Sequence, residues 1–227
     1  MALIKWGLVI TDGRGKIGGQ VLTKGRSGAV IRNKVTPTNP NTARQSAVRA
    51  VLTQFSQGWK ALTQAQRDAW NAAVGSFTRT NIFGSTYSPS GKNLYTALNT
   101  NLTKVGYTAI TIPPIPSATV APGIEDFVLN VGDETLTFLV NEGSASQKLF
   151  VQASPPVSPG ITNISSKLRL IKVTTQVAAT DVDIWAEYVA AYGTPTAGTK
   201  IFIKVTAIKD VTGQSTTPEI ISGIVVA

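Results

Sequence analysis

The chain has 227 residues, 42% of them hydrophobic, enough to bury a core in one or two domains. It contains no cysteine and no histidine. That excludes disulfides and thiolate chemistry and removes the commonest general base near neutral pH and the commonest zinc ligand. The net charge of +9 is unevenly placed: nine Lys/Arg against one Asp in residues 1–50, five against one in 51–112, seven against ten in 113–227. A basic front and a mildly acidic back mark a chain whose two parts face different partners.

Residues 1–36 read as an extended basic arm. Two β-prone runs, 17–23 and 29–35, flank Lys24-Gly25-Arg26-Ser27-Gly28 and suggest a hairpin. Seven glycines by Gly28 and few large apolar side chains leave this segment without a core of its own. The start MALIKWGLVITDG is too short and too quickly polar for a signal peptide. No apolar run approaches the ~18 residues of a membrane span, so a soluble intracellular product is expected.

Residues 37–109 read as a helical region. The turn Thr36-Pro37-Thr38-Asn39-Pro40 introduces it. Pro40 suits a first helical position, because its φ is fixed and its missing N–H would be unpaired there. That makes Asn39 the expected N-cap. Val48, Val51, Leu52, Phe55 and Trp59 recur at three- and four-residue spacing as one apolar stripe. Thr63 and Gln66 form a capping box for a second helix, with Ala69, Trp70, Ala73 and Val74 on its inner face. The expected unit is an αα-hairpin locked by Trp59 and Trp70. Ser88-Pro89-Ser90-Gly91 then opens a third helix with Leu94, Leu98 and Leu102 on one face. Its Asn93, Asn99 and Asn101 are weak helix formers, so tertiary packing must hold it.

Ile110–Pro116 (ITIPPIP) is expected to be a stiff Pro-rich linker. Beyond it, residues 117–227 alternate as an all-β domain, with candidate strands at 127–131, 135–140, 148–153, 168–174, 200–209 and 220–226. Asp181–Tyr192 is ambiguous and has room for a short helix at a corner. Six or seven short strands in this length fit an immunoglobulin or fibronectin-type sandwich. The expected class is modular α+β: arm, helical hairpin, sandwich.

Candidate chemistry is thin. Gly13-Arg14-Gly15-Lys16-Ile17-Gly18 has GxGxxG spacing, but a strand-like run follows it and the position twenty beyond is basic. A dinucleotide loop needs a following helix and an acidic residue there. The acidic pairs Asp181/Asp183, Glu125/Asp126 and Asp133/Glu134 fit solvated turns and strand edges better than a calcium loop. Serine and threonine abound without a GxSxG turn or a histidine base. No enzyme, metal or cofactor is expected.

The basic start GRGKIGGQVLTKGRSGAVIRNKV, then TPTNPNTARQ, WKALTQAQRDAWNAA and SPSGKNLYTALNTNL, resembles a group of small virion proteins of tailed bacteriophages. The resemblance covers residues 13 to about 105. It implies a structural virion protein made in the host cytoplasm and present in multiple copies. Its partners would be capsid, portal or neck subunits, with head decoration favoured. On that reading Arg14, Lys16, Lys24, Arg26, Arg32 and Lys34 contact a partner. Pro37, Asn39 and Pro40 set the angle between arm and helices, and the arm could also face packaged DNA. The alternative is a nucleic-acid-binding protein using the basic half, which predicts strong salt dependence. A host-surface adhesin stands in reserve, since the sandwich shows no evident aromatic binding platform.

Overall fold

The computed structural model describes residues 2–4, 13–25, 28–36, 38–80 and 86–226. The protein is mixed α+β and divides into two compact units, Met1–Ser46 and Ala47–Ala227.

In the first unit, strands β1 (Ala2–Ile4), β2 (Gly15–Ile17), β3 (Gln20–Gly25) and β4 (Gly28–Asn33) form one antiparallel sheet in the order β1-β4-β3-β2. The two β-prone runs pair, with Gly25 opposite Gly28. They do so inside a four-stranded sheet rather than as an extended arm. Among its described side chains only Val30 is buried, in keeping with the glycine-rich composition.

Helix α1 (Ala43–Ala61) begins later than expected. Thr42 caps it: the Gln45 N–H donates to Thr42 Oγ1 and the Thr42 N–H donates to Gln45 Oε1, both at 3.3 Å. This reciprocal pair satisfies two orphan donors at once, which a single Asn cap does not. Asn39 instead accepts from the N–H of Asn41, itself held at φ 51°, at 3.4 Å. Asn39 and Pro40 therefore lie in the turn before the helix, and Pro37 lies outside the described residues. Helix α2 (Gln64–Ala73) carries the capping box on Thr63 and Gln66, followed by a 3₁₀ turn at Val74–Ser76. A short pair, β5 (Arg79–Thr80) and β6 (Thr86–Tyr87), precedes α3 (Gly91–Lys104), which Ser90 caps.

The helices meet on Tyr95 of α3 rather than as a two-tryptophan hairpin. Phe55, Trp59 and Trp70 lie 6.1, 5.7 and 5.4 Å from its ring, Phe55 and Trp70 edge-on. Edge-to-face contacts at this spacing add attraction beyond area burial. Gly58 makes the approach of α1 feasible, since a Cβ there would stand 2.8 Å from the Tyr95 hydroxyl. The stripe on α1 is narrower than its spacing suggests. Phe55 is buried and Val51 and Trp59 are half-buried, while Val48 and Leu52 stay exposed. Ala69 of α2 is exposed as well, so that inner face reduces to Trp70, Ala73 and Val74.

Residues 110–123 are tied at their start and in their second half, while Ile112 and Ile115 between stay exposed. Asn99, fully buried, donates to the Tyr95 and Ile110 carbonyls and accepts from the Ile110 N–H. Trp70 Nε1 donates to the Thr111 carbonyl at 2.9 Å. Gln214 accepts from the Ser117 N–H, and Gln147 both donates to and accepts from Val120. The expected linker is thus a strap inside the second unit, because buried amides supply the partners its backbone needs.

The remaining strands are β7 (Ile124–Asn130), β8 (Thr135–Val140), β9 (Ser144–Ala153), β10 (Arg169–Gln176), β11 (Thr180–Asp183), β12 (Lys200–Lys209) and β13 (Glu219–Ile224). Helix α4 (Trp185–Tyr192) occupies the ambiguous stretch between β11 and β12. Two antiparallel sheets result, in the orders β11-β8-β7 and β10-β9-β12-β13. Leu136, Phe138 and Val140 of one, and Leu149, Val151, Ile201, Ile203 and Val205 of the other, form a shared core with Ile184 and Tyr188. Alternation places these residues on the inner faces. Beyond β13 the chain turns parallel to β7: the Val131 N–H donates to the Val226 carbonyl, and the Val226 N–H donates to the Leu129 carbonyl.

Candidate functional site

Two cationic surfaces stand out, one in each unit. In the first unit, directly paired residues share a sheet face. Lys16 lies opposite Val21, and Val21 opposite Arg32, so the two cations flank one valine across β2, β3 and β4. Lys34 follows two residues after Arg32 and is held by its N–H to the Gly19 carbonyl at 2.8 Å. Arg14, Lys16, Arg32 and Lys34 are all exposed. Lys24 pairs with Ala29 across β3 and β4. Arg26 lies outside the described residues. The sheet therefore brings Lys16 and Arg32 together on one face. Ile17, the next residue of β2, alternates to the other face and is 67% exposed there.

The second surface is a groove of about 810 Å³ in the Ala47–Ala227 unit. Its charged lining is Arg79, Lys92 and Lys104, with no carboxylate. Thr96, Thr100, Asn93 and Asn101 supply amides and hydroxyls, and Leu52 of α1 supplies an exposed apolar wall. The helical period explains the arrangement. Lys92, Thr96, Thr100 and Lys104 are four residues apart and form a polar stripe on α3, beside the buried stripe of Leu94, Leu98 and Leu102.

Lys104 marks the groove electrostatically. Its ammonium donates to Asn101 Oδ1 at 3.3 Å and lies 5.9 Å from the Phe150 ring centroid. Burial, and then repulsion from Lys204, hold it below the ordinary lysine range. Asn101 in turn donates to the Gly213 carbonyl at 3.0 Å. Gly213 is at φ 69°, and a Cβ there would meet the Leu98 carbonyl oxygen at 2.4 Å, so glycine is what lets this turn approach α3. An anion entering the groove would meet cations with no competing carboxylate in the lining.

The sequence reading missed this groove, although the four-residue spacing of the α3 polar stripe was a usable signal. Its other half, Leu52 and Arg79, comes from distant segments and leaves no local trace. None of the acidic pairs lines the groove. Asp183 Oδ1 accepts from the Trp185 N–H at 2.9 Å where α4 begins, while Asp133 and Glu134 lie in the β7–β8 turn. Among the described residues no cluster of three metal-ligating side chains occurs, and no helix is long and apolar enough to cross a membrane. No protein-family model, curated protein or solved structure matches this chain.

Proposed function

We propose that the protein is a non-enzymatic structural component of a tailed-bacteriophage virion. Its cationic N-terminal unit docks on capsid or neck subunits, and residues 117–227 project as a fibronectin type III-like sandwich, with head decoration favoured over the neck. The observation that carries this reading is the edge of the first sheet. Among the described residues β2 pairs only with β3, and it presents Lys16 and Ile17 to solvent. The outer backbone groups of β2, unpaired among the described residues, suit strand addition to another subunit over its three residues. The phage-like segments of residues 13–105 support the same reading. So does the strand order, since grouping the seven strands as β7-β8-β11 and β10-β9-β12-β13 is how a fibronectin type III sandwich connects.

The test is cosedimentation of the full chain, and of a chain lacking residues 1–34, with purified particles or empty shells. Saturable binding that disappears on deletion is the expected result. Equal binding by both chains, or none by either, overturns the assignment. A second reading, binding to nucleic acid, draws on Lys16 and Arg32 sharing one face of the sheet. It requires duplex binding whose logarithm falls with log salt at a slope of about −0.9 per phosphate neutralised.

A further inference from the structure

The second unit is polarised in charge, and the two poles match. Strands β7, β8 and β11, with the β7–β8 turn, carry Glu125, Asp126, Asp133, Glu134, Asp181 and Asp183 and no lysine or arginine. Register fixes which of them share the outer face. Glu125 and Asp181 both lie opposite Leu139, and Val128 and Asp183 both lie opposite Thr137. Since Phe138 and Val140 face the core, Leu139 and Thr137 face outward, and their cross-strand partners with them. The outer face is therefore a small apolar centre, Leu139 and the 51% exposed Val128, bordered by carboxylates. The nearest cation on the neighbouring sheet, Lys172, is occupied by Glu187 at 2.7 Å.

The α3 groove is the converse: apolar Leu52 bordered by Arg79, Lys92 and Lys104. Among the described residues none of these three cations forms an ion pair. The two surfaces belong to the same unit, and each has the apolar centre and charged rim of a protein interface with the sign the other requires.

We propose that the α3 groove of one copy receives the acidic β7-β8-β11 face of a second copy, so that the chain associates head-to-tail with itself. This does not rest on the virion reading. The two contacting surfaces differ, so the contact is heterologous. It closes into a ring or propagates as a filament according to the rotation between neighbours. Relief of the Lys104–Lys204 repulsion by an incoming carboxylate favours the contact. Salt weakens it, because both rims are open to solvent.

The experiment is sedimentation velocity on the full chain at about 0.05 M and about 1 M salt, where screening lengths differ severalfold. Two variants accompany it, Arg79→Glu with Lys92→Glu, and Glu125→Lys with Asp181→Lys; all four positions are exposed. Wild type is expected to associate at low salt and to dissociate at high salt. Each variant alone is expected to associate about 100-fold more weakly, because like charges then face one another. Mixing the two variants sets a native groove against a native face and a charge-reversed groove against a charge-reversed face, both of opposite sign, so association should return in the mixture. A wild type that stays monomeric at low salt overturns the proposal. So does association that survives in both variants, which would assign it to the N-terminal sheet. Loss of duplex DNA binding in the groove variant with self-association intact would assign the groove to nucleic acid instead.

Discussion

The helical cluster and the sandwich lie in one compact unit but are held by different means. In the two-sheet region, fourteen buried apolar side chains, eleven of them on strands, pack around Phe138, Tyr188 and Ile203, with buried Gln147, Ser154 and Gln176 adding polar ties. The helical cluster has six, gathered on one ring, and the rest of its cohesion comes from polar ties such as Asn99 to Ile110 and Trp70 to Thr111. A broad apolar core tolerates the loss of one contact. A cluster with a single hub does not.

Trp70→Ala tests that contrast most strongly. It removes a fully buried ring, its contact with Tyr95 and its bond to the strap. A loss of about 3–5 kcal/mol is expected. Chemical denaturation should show the helices unfolding ahead of the sandwich; a single transition with wild-type midpoint would erase the contrast. Asn99→Leu comes next. It keeps the volume but leaves the Ile110 N–H and C=O without their partner, at about 1–3 kcal/mol for each buried group left unsatisfied. Hydrogen exchange at Ile110 should accelerate while β12 stays protected. Gly213→Ala strains the turn against α3 and is expected to cost about 1–3 kcal/mol.

The smallest effect appears only with pH. Burial, and then the neighbouring Tyr192, push the Tyr188 phenol well above its ordinary value, and its hydroxyl donates to the Ser154 carbonyl. Above pH ~10 the unfolded chain releases that proton while the folded chain keeps it, so stability falls as pH rises. Tyr95 and Tyr107, also raised by burial, act in the same direction. Lys104 acts in the opposite direction: its depressed value means the folded chain loses that proton first, and stability rises with pH across that window. Tyr188→Phe should flatten the alkaline decline seen in thermal melts; an unchanged decline would assign it to the other tyrosines.

Much of the strand layout of residues 117–227 was legible in the chain because alternation is a local signal. The expected strands at 135–140 and 200–209 coincide with β8 and β12. Strand β11 escaped notice because Val182, between Asp181 and Asp183, is its one apolar residue. The capping box on Thr63 was readable for the same local reason, whereas the Asn39-Pro40 pair drew the expected helix start away from Thr42. The proline-rich strap could not be read. Its partners Asn99, Gln147 and Gln214 lie far along the chain, and nothing in ITIPPIP indicates them. The groove was half legible, in the α3 stripe, and half hidden for the same reason.

The parallel pairing of Val226 with the end of β7 has a mechanical consequence. Because the two segments run the same way, a pull applied at Ile124 and at Val226 drags them past each other. The Val131 and Val226 bonds are then loaded together in shear instead of opening one after another. Single-molecule pulling from these two ends should meet a discrete resisting step, absent when Val226 is replaced by proline, which cannot donate to Leu129. A module closed in this way holds its shape under tension until both bonds give way at once.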